Sequence, residues 1–469
     1  MKKKYISQPK PTKGNHAVVI GGSMAGLLAG RVLTNHFEQV TIIERDRFPE
    51  HPQYRPGVPQ SNHVHVLLCK GKQILEQLFP GLLGELETAG ALEIDWTAEF
   101  PWYNLFGWQP RFHSELKSYL CSRHLLEWMV RQKLATYDNL QFLEKTQVTG
   151  LLSKVSNRVT GVRLKSNSQI QDLTADLVVD ASGRNSSLPK WLTALGYQSP
   201  EETVINSFLG YSSRWYQVPE GLQTDWKALA VAPKPPSDRR GGVLCSVENN
   251  CWVTTLWGVN KDYPPTDEVG FLEFARSLRN PIIYKFLQEA QPISPVHVYR
   301  RTENRLRHYE KLSKLPDGIV AVGDAVCSFN PVYGQGMTVG ALGAITLDEC
   351  LENYPSLEGL TKGFQKKLAQ VTTIPWLMAT GEDLRWQETE GSKPDWMTRL
   401  MQQYLDQVVM LSVECPEIYQ KYVEVMQLTH SPKILFHPDV MAKILGQIIK
   451  NYQKLEPKHQ EQIIPKLLC

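Results

Sequence analysis

One short stretch constrains the fold more than any other: AVVIGGSMAGLLAGRVL, residues 17–33. An apolar run, Ala17 to Ile20, leads into Gly21-Gly22-Ser23-Met24-Ala25-Gly26 and then into a helix-like segment. In such a strand–turn–helix unit Gly21 lets the chain turn tightly, and Gly26 lets the helix lie close against the strand. The helix start presents free N–H groups and a partial positive charge, which suit a diphosphate. Ser23 stands where a glycine usually allows the closest approach of backbone to phosphate. Being small, with a hydroxyl that can donate, it weakens the pattern without breaking it. Eighteen residues after Gly26, Glu44 ends the strand-like VTIIE, where a carboxylate accepts from ribose hydroxyls and disfavours a 2′-phosphate. The competing reading makes Glu44 a surface carboxylate paired with Arg45 or Arg47.

The rest of the composition excludes more than it assigns. With 469 residues, 42% hydrophobic and 21% charged, the chain can bury a large core in two or three domains. A net charge of +3 makes no demand for nucleic acid, and Lys2-Lys3-Lys4 reads as a solvated leader. No apolar run approaches the roughly 20 residues of a membrane span, and YISQPKPTKGNH is no signal-peptide core, so a cytoplasmic location is expected. The eight cysteines are scattered, without metal-type spacing, so no metal site is expected.

Periodicity divides the chain. Strand-like and helix-like segments alternate to about residue 200, with helices expected near Gly71 to Leu78 and Arg123 to Leu134; residues 204–302 are mostly strand-like. DGIVAVGDA then returns to the buried-strand style, so the strand at 318–322 is expected to complete the sheet begun near residue 16. Beyond Gln335 the chain reads as helix, with an apolar stripe from Met397 through Leu400, Met401, Tyr404, Leu405 and Val408 to Leu411. Packing is the expected role of that stripe; a weak membrane-surface contact is the other reading.

A second motif, VAVGDAVCSFNPVYGQGM, places Gly323 and Asp324 at a strand end and runs through Pro331, Gly334 and Gly336 into a helix of small residues. Asp324 can accept from a polyol, and the helix start suits negative charge on a ring edge. With GGSMAG, RPGVPQSNHVH, CSRHLLE, VVDASGRNSSLPKWL and PWLMATGEDLRWQETEG, the chain resembles the single-component FAD-dependent monooxygenases of the aromatic-hydroxylase type. It is most similar to bacterial members that epoxidise polyketide precursors.

The resemblance implies an α/β fold: a Rossmann-like FAD-binding domain (16–90, 115–203 and 303–355), an inserted β-rich substrate domain (91–114 and 204–302) and a C-terminal helical region (356–469), after a disordered leader (1–15). It implies that Gly21, Gly22, Ser23, Met24, Ala25, Gly26, Glu44 and Arg45 hold the adenosine diphosphate and that Arg123 holds the diphosphate or ribose. Asp324 would hold the ribityl chain, and Pro331, Gly334, Gly336 and Met337 the flavin edge. Gly183 lies in the one departure from the family: where many members have Asp-Gly, a motif tied to FAD pyrophosphate and NAD(P)H, this chain has Ser182-Gly183, with Asp180 displaced two residues upstream. NAD(P)H is implied as a transient reductant and O2 as co-substrate, acting through a flavin 4a-hydroperoxide on a large apolar olefin or aromatic.

Such chemistry asks the protein to bind, orient and exclude water. Arg55, Gln60 and His63 are the candidates at the reacting end, with His63 and His65 expected to alternate on a strand. DWTAEFPWYNLFGWQPRF, residues 95–112, together with Trp215, Trp252 and Trp257, supplies aromatic walls or plain core. A reductase or dehydrogenase acting on carbon–carbon bonds is the runner-up. A halogenase is less favoured because no W-x-W pair is present, and a flavin carrier without turnover is a third reading.

Overall fold

The computed structural model describes residues 13–154, 157–167, 169–452, 465 and 467–468. The Lys2-Lys3-Lys4 leader lies outside them. The boundary of the leader moves, because Gly14 and Asn15 already belong to the first strand, where Asn15 N–H donates to Asp176 Oδ2 at 2.7 Å.

Five parallel strands form the nucleotide-type sheet in the order Ile319–Ala321, Leu177–Asp180, Gly14–Ile20, Phe37–Ile43, Leu140–Leu143. Strand order reverses on either side of Gly14–Ile20, and in open α/β sheets ligands bind at the carboxyl ends beside that switch. The first strand buries Ala17 to Ile20, and the first helix, α1 (Met24–Leu33), is apolar on nearly every side because it lies between sheet and further helices. Helices α2 (Cys69–Leu78) and α3 (Arg123–Leu134) follow the two expected positions. The N-cap of α3 is Ser122, whose Oγ accepts from Leu125 N–H.

The second layer is a mixed sheet built on Gly210–Gln217, Cys251–Gly258, Arg240–Val247 and Ala228–Val231, extended by Trp102–Asn104. The last of these pairs in parallel with Ala228–Val231, which ties the aromatic segment of 95–112 to strands more than a hundred residues later. Two helices, Glu268–Arg276 and Ile282–Glu289, cover one face of this sheet through a cluster containing Trp252, Phe271 and Leu287.

Five helices follow: α4 (Gly336–Asn353), α5 (Leu360–Asp383), α6 (Trp396–Ser412), α7 (Pro416–Met426) and α8 (Pro438–Tyr452). The stripe on α6 is packed only in its second half. Val408 is fully buried, whereas Trp396 is 71% and Leu400 52% exposed, so plain packing does not account for the first turns. No helix among the described residues is long and apolar enough to cross a membrane.

Candidate cofactor and substrate cavity

The glycine turn is required by contact as well as conformation. Gly21 adopts φ +104°, and a Cβ there would sit 2.6 Å from the Ala181 carbonyl oxygen. At Gly26 a Cβ would fall 1.8 Å from the Gly21 oxygen, so helix and strand could not close. Ser23 is the N-cap of α1, with Oγ donating to Glu127 Oε2 at 2.9 Å and accepting from Arg123 Nη2 at 2.9 Å. Gly22 N–H donates to Glu44 Oε2 at 2.9 Å. Glu44 is 6% exposed and meets Arg55 at 3.1 Å, whereas Arg47 pairs with Glu50. A surface carboxylate pairing with its sequence neighbours is thereby ruled out.

Arg55 requires a correction. Expected near the reacting end, it is buried at the nucleotide turn, with Nε on Glu127 Oε1 at 2.8 Å, Nη1 on Asp46 Oδ2 at 3.1 Å and Nη2 on the Gly22 oxygen at 3.1 Å. Burial alone would lower its pKa, but Glu127, Glu44 and Asp46 raise it. Glu127 is held below the usual carboxylate range in turn: burial opposes this, and Arg123 and Arg55 overcome it. Arg123 donates from Nη2 to Glu127 at 2.6 Å, while its buried Nη1 has no partner among the described residues. An orphaned guanidinium N–H beside a glycine turn and a helix N-terminus is the donor set that a diphosphate satisfies.

One cavity of about 810 Å³ begins here and continues past Asp324. Gly21, Ser23, Met24, Ala25, Glu44 and Arg45 line its first part; Gly22 and Gly26 lie behind the wall. Asp324 sits in the turn Gly323–Ala325 at the end of Ile319–Ala321, and burial raises its pKa even with Arg184 and Arg307 nearby. Pro331, Gly334, Gly336 and Met337 line the next part, Gly334 in the left-handed region at φ +66°, and α4 begins at Gly336 with no acidic residue in its first turn. Asp180 is spent locally, accepting from Ser182 N–H, Ser182 Oγ and Ser186 Oγ. This leaves Gly183, at φ +82°, and Arg184 on the cavity wall.

Gln60, His63 and His65 also line the cavity, but on no strand: residues 59–62 form a 3-10 turn and the following stretch is irregular. Val64 N–H goes to Thr255 Oγ1 at 3.0 Å, so side chains rather than a ladder satisfy this backbone. His63 Nδ1 lies 2.7 Å from Ser213 Oγ, with its ring edge-on to Tyr211 at 4.6 Å. Burial first, then His65 and His297, lower its pKa to about 3, so it is neutral at ordinary pH. Tyr211 and Tyr299, stacked at 5.4 Å, complete a box that spacing in the sequence did not reveal.

The far end is apolar. Trp96, Phe100, Trp102 and Trp257 reach it, and Trp102 stacks on Tyr422 of α7 with centroids 6.0 Å apart. Trp252 instead packs under the covering helices and Trp215 stacks on His124. Tyr103 and Trp108 likewise turn to the helical side, as strand alternation dictates. Met378 of α5, Leu405 and Val409 of α6, and Leu435 close the chamber. Asp383, unassigned in the sequence reading, sits in the wall beside the Pro331–Tyr333 turn.

Comparisons with known proteins give the family. The family model described as FAD binding domain matches residues 81–353, and the chain belongs to that family. It is an FAD-dependent monooxygenase of the aromatic-hydroxylase type, with NAD(P)H as reductant. Protein Rv3254 of Mycobacterium tuberculosis is 35% identical over 410 residues, covering 82% of this chain and 85% of that protein. A kynurenine 3-monooxygenase of Salinispora arenicola is 25% identical, covering 78% and 80%. A solved flavin-dependent brominase shares the fold at TM-score 0.67 and 12% identity, covering 94% of this chain and 99% of that one.

Proposed function

We propose that the cavity holds FAD from Glu44 and Arg45, through the glycine turn and Arg123, past Asp324, to the turn at Pro331–Met337. Bound there, FAD would supply the redox chemistry by which NAD(P)H and O2 yield one oxygen atom for the substrate. The chain's own residues do the rest. Arg123 and the α1 N-terminus would take the diphosphate charge, and Asp324 would accept from the ribityl hydroxyls. The α4 N-terminus favours negative charge at the ring edge. We further propose a cytoplasmic enzyme of the polyketide-epoxidase-like kind, which epoxidises or hydroxylates a large apolar olefin or aromatic. The observation that carries this reading is the continuity of one cavity from the nucleotide turn to a chamber walled by Trp96, Phe100, Trp102 and Tyr422.

The test is an absorption spectrum of the purified protein before and after NADH or NADPH in air, with peroxide quantified. Bound flavin that bleaches and reoxidises is expected, faster with the right olefin or phenol. Repeating the assay with bromide or chloride asks whether halogenation occurs instead. Failure to retain flavin after reconstitution would end the oxygenase reading. Reduction of a substrate without oxygen uptake would favour the reductase.

A further inference from the structure

Asp383 closes the last turn of α5, the end of a helix where the dipole opposes a carboxylate. It is 2% exposed. Its oxygens accept from Asn304 Nδ2 at 2.6 Å, from Asn330 Nδ2 at 3.1 and 3.2 Å, and from Tyr333 Oη at 2.7 Å, with Ser207 adding a hydroxyl. All of these are neutral. The charged groups nearby are committed elsewhere: Arg385 binds Glu382 at 2.9 Å and Asp406 at 2.8 Å.

The amides are fixed in orientation. Asn330 N–H donates to Asn304 Oδ1 at 2.7 Å, and Val332 N–H to Asn330 Oδ1 at 3.3 Å, so both Nδ2 groups must face Asp383. An amide N–H holds a carboxylate but does not exchange its proton with one. A hydroxyl both donates and accepts, and of the two hydroxyls at Asp383 only that of Tyr333 belongs to a residue on the cavity wall. Burial pushes the Asp383 carboxyl up to about 6 despite its donors.

Building on the flavin reading above, we propose that Tyr333 and Asp383 form a proton relay at the ring-edge end of the cavity, with Tyr333 the catalytic residue that meets a reacting oxygen and Asp383 the positioning residue that supplies its proton. Tyr333 gives its Oη proton to an oxyanion in the cavity as Asp383 gives its own to Tyr333. One O–H bond forms on the acceptor, one breaks on Asp383, the tyrosine is unchanged and no electron moves. Asn304 and Asn330 hold the resulting carboxylate until solvent hydronium restores the proton.

The test uses FAD-loaded wild type, Asp383→Asn, Tyr333→Phe and the double variant, with NADH or NADPH oxidation in air and no added substrate. Peroxide release by the wild type should fall as pH rises through about 6. Each variant should keep its flavin, release peroxide at least tenfold more slowly and lose that pH break, and the double variant should be no slower than the slower single. Independently of turnover, bound-flavin absorbance in the wild type should show a transition near pH 6 that Asp383→Asn lacks and Asp383→Glu restores. Unchanged pH profiles, multiplying losses, or loss of flavin from Tyr333→Phe would reduce the network to a structural clamp and overturn the relay. Should Asp383→Asn not fold, Tyr333→Phe, which leaves the carboxylate and both amides in place, carries the test. If the wild type oxidises no NAD(P)H, the oxygenase reading has failed, and the absorbance titration still decides the relay.

Discussion

At the scale of single residues, chemistry and contact coincide at few positions. Gly26 is legible from the sequence alone, since a motif glycine at a helix start has one steric reason to be there, and the 1.8 Å approach supplies it. Asp324 is legible by type and position. It lies at a strand end, opens into the cavity, and is raised in pKa by burial, so a polyol hydroxyl that donates to it relieves a real desolvation cost. Asp324→Ala is expected to fold and to hold FAD about ten- to a hundredfold more weakly, the equivalent of about 1.5–3 kcal/mol for hydrogen bonds to a charged group. Flavin retained after gel filtration, against the parent, measures this. Arg55 was legible as important but not as placed: its three carboxylate partners come from Glu44, Asp46 and Glu127, and only folding gathers them.

At the scale of elements, periodicity succeeded where backbone bonds stay within a ladder or helix. It failed at 63–66, where alternating His and Val residues imitate a strand but the N–H of Val64 is taken by Thr255. This segment gives the protein a pH signature. Burial lowers the pKa of His63 to about 3 and of His65 and His124 to about 4, against about 6.5 in an unfolded chain. Between about pH 6.5 and 4 the unfolded state therefore binds protons that the native state refuses, so this stability is complete above pH 6.5 and lost as pH falls. Asp383, raised to about 6, acts in the opposite sense as pH rises through 4 to 6, as do Asp324 and Asp180, which burial also raises, while Glu127 and Glu202, held low by arginines, act with the histidines. The apparent Tm is expected to be several degrees lower at pH 5 than at pH 7.5. His63→Gln should narrow that gap, and an unchanged gap would show that these histidines do not govern acid stability.

At the scale of the whole molecule, the cavity belongs to no single region: its start is the nucleotide sheet, its floor the mixed sheet, its roof helices α5 to α7. The stack of Trp102 on Tyr422 joins floor to roof. Trp102→Ala and Tyr422→Ala are each expected to raise KM for a large apolar substrate about three- to tenfold, the scale of about 0.5–1.5 kcal/mol for an aromatic pair, while substrate-free NAD(P)H oxidation stays within about twofold. Equal losses in both assays would place these rings in support of the flavin rather than of the substrate. By itself the sequence determined the nucleotide-type sheet, the general chemistry and the two motifs proposed to hold FAD, because each rests on local requirements: a glycine where no Cβ fits, an acid at a strand end, a helix N-terminus behind a turn. Only the tertiary structure decided which tryptophans face the cavity, that Arg55 serves the nucleotide turn, and that Asp383 meets Tyr333. Burial and the choice of partner are set by elements far apart in the chain, and no local pattern encodes which of them will meet.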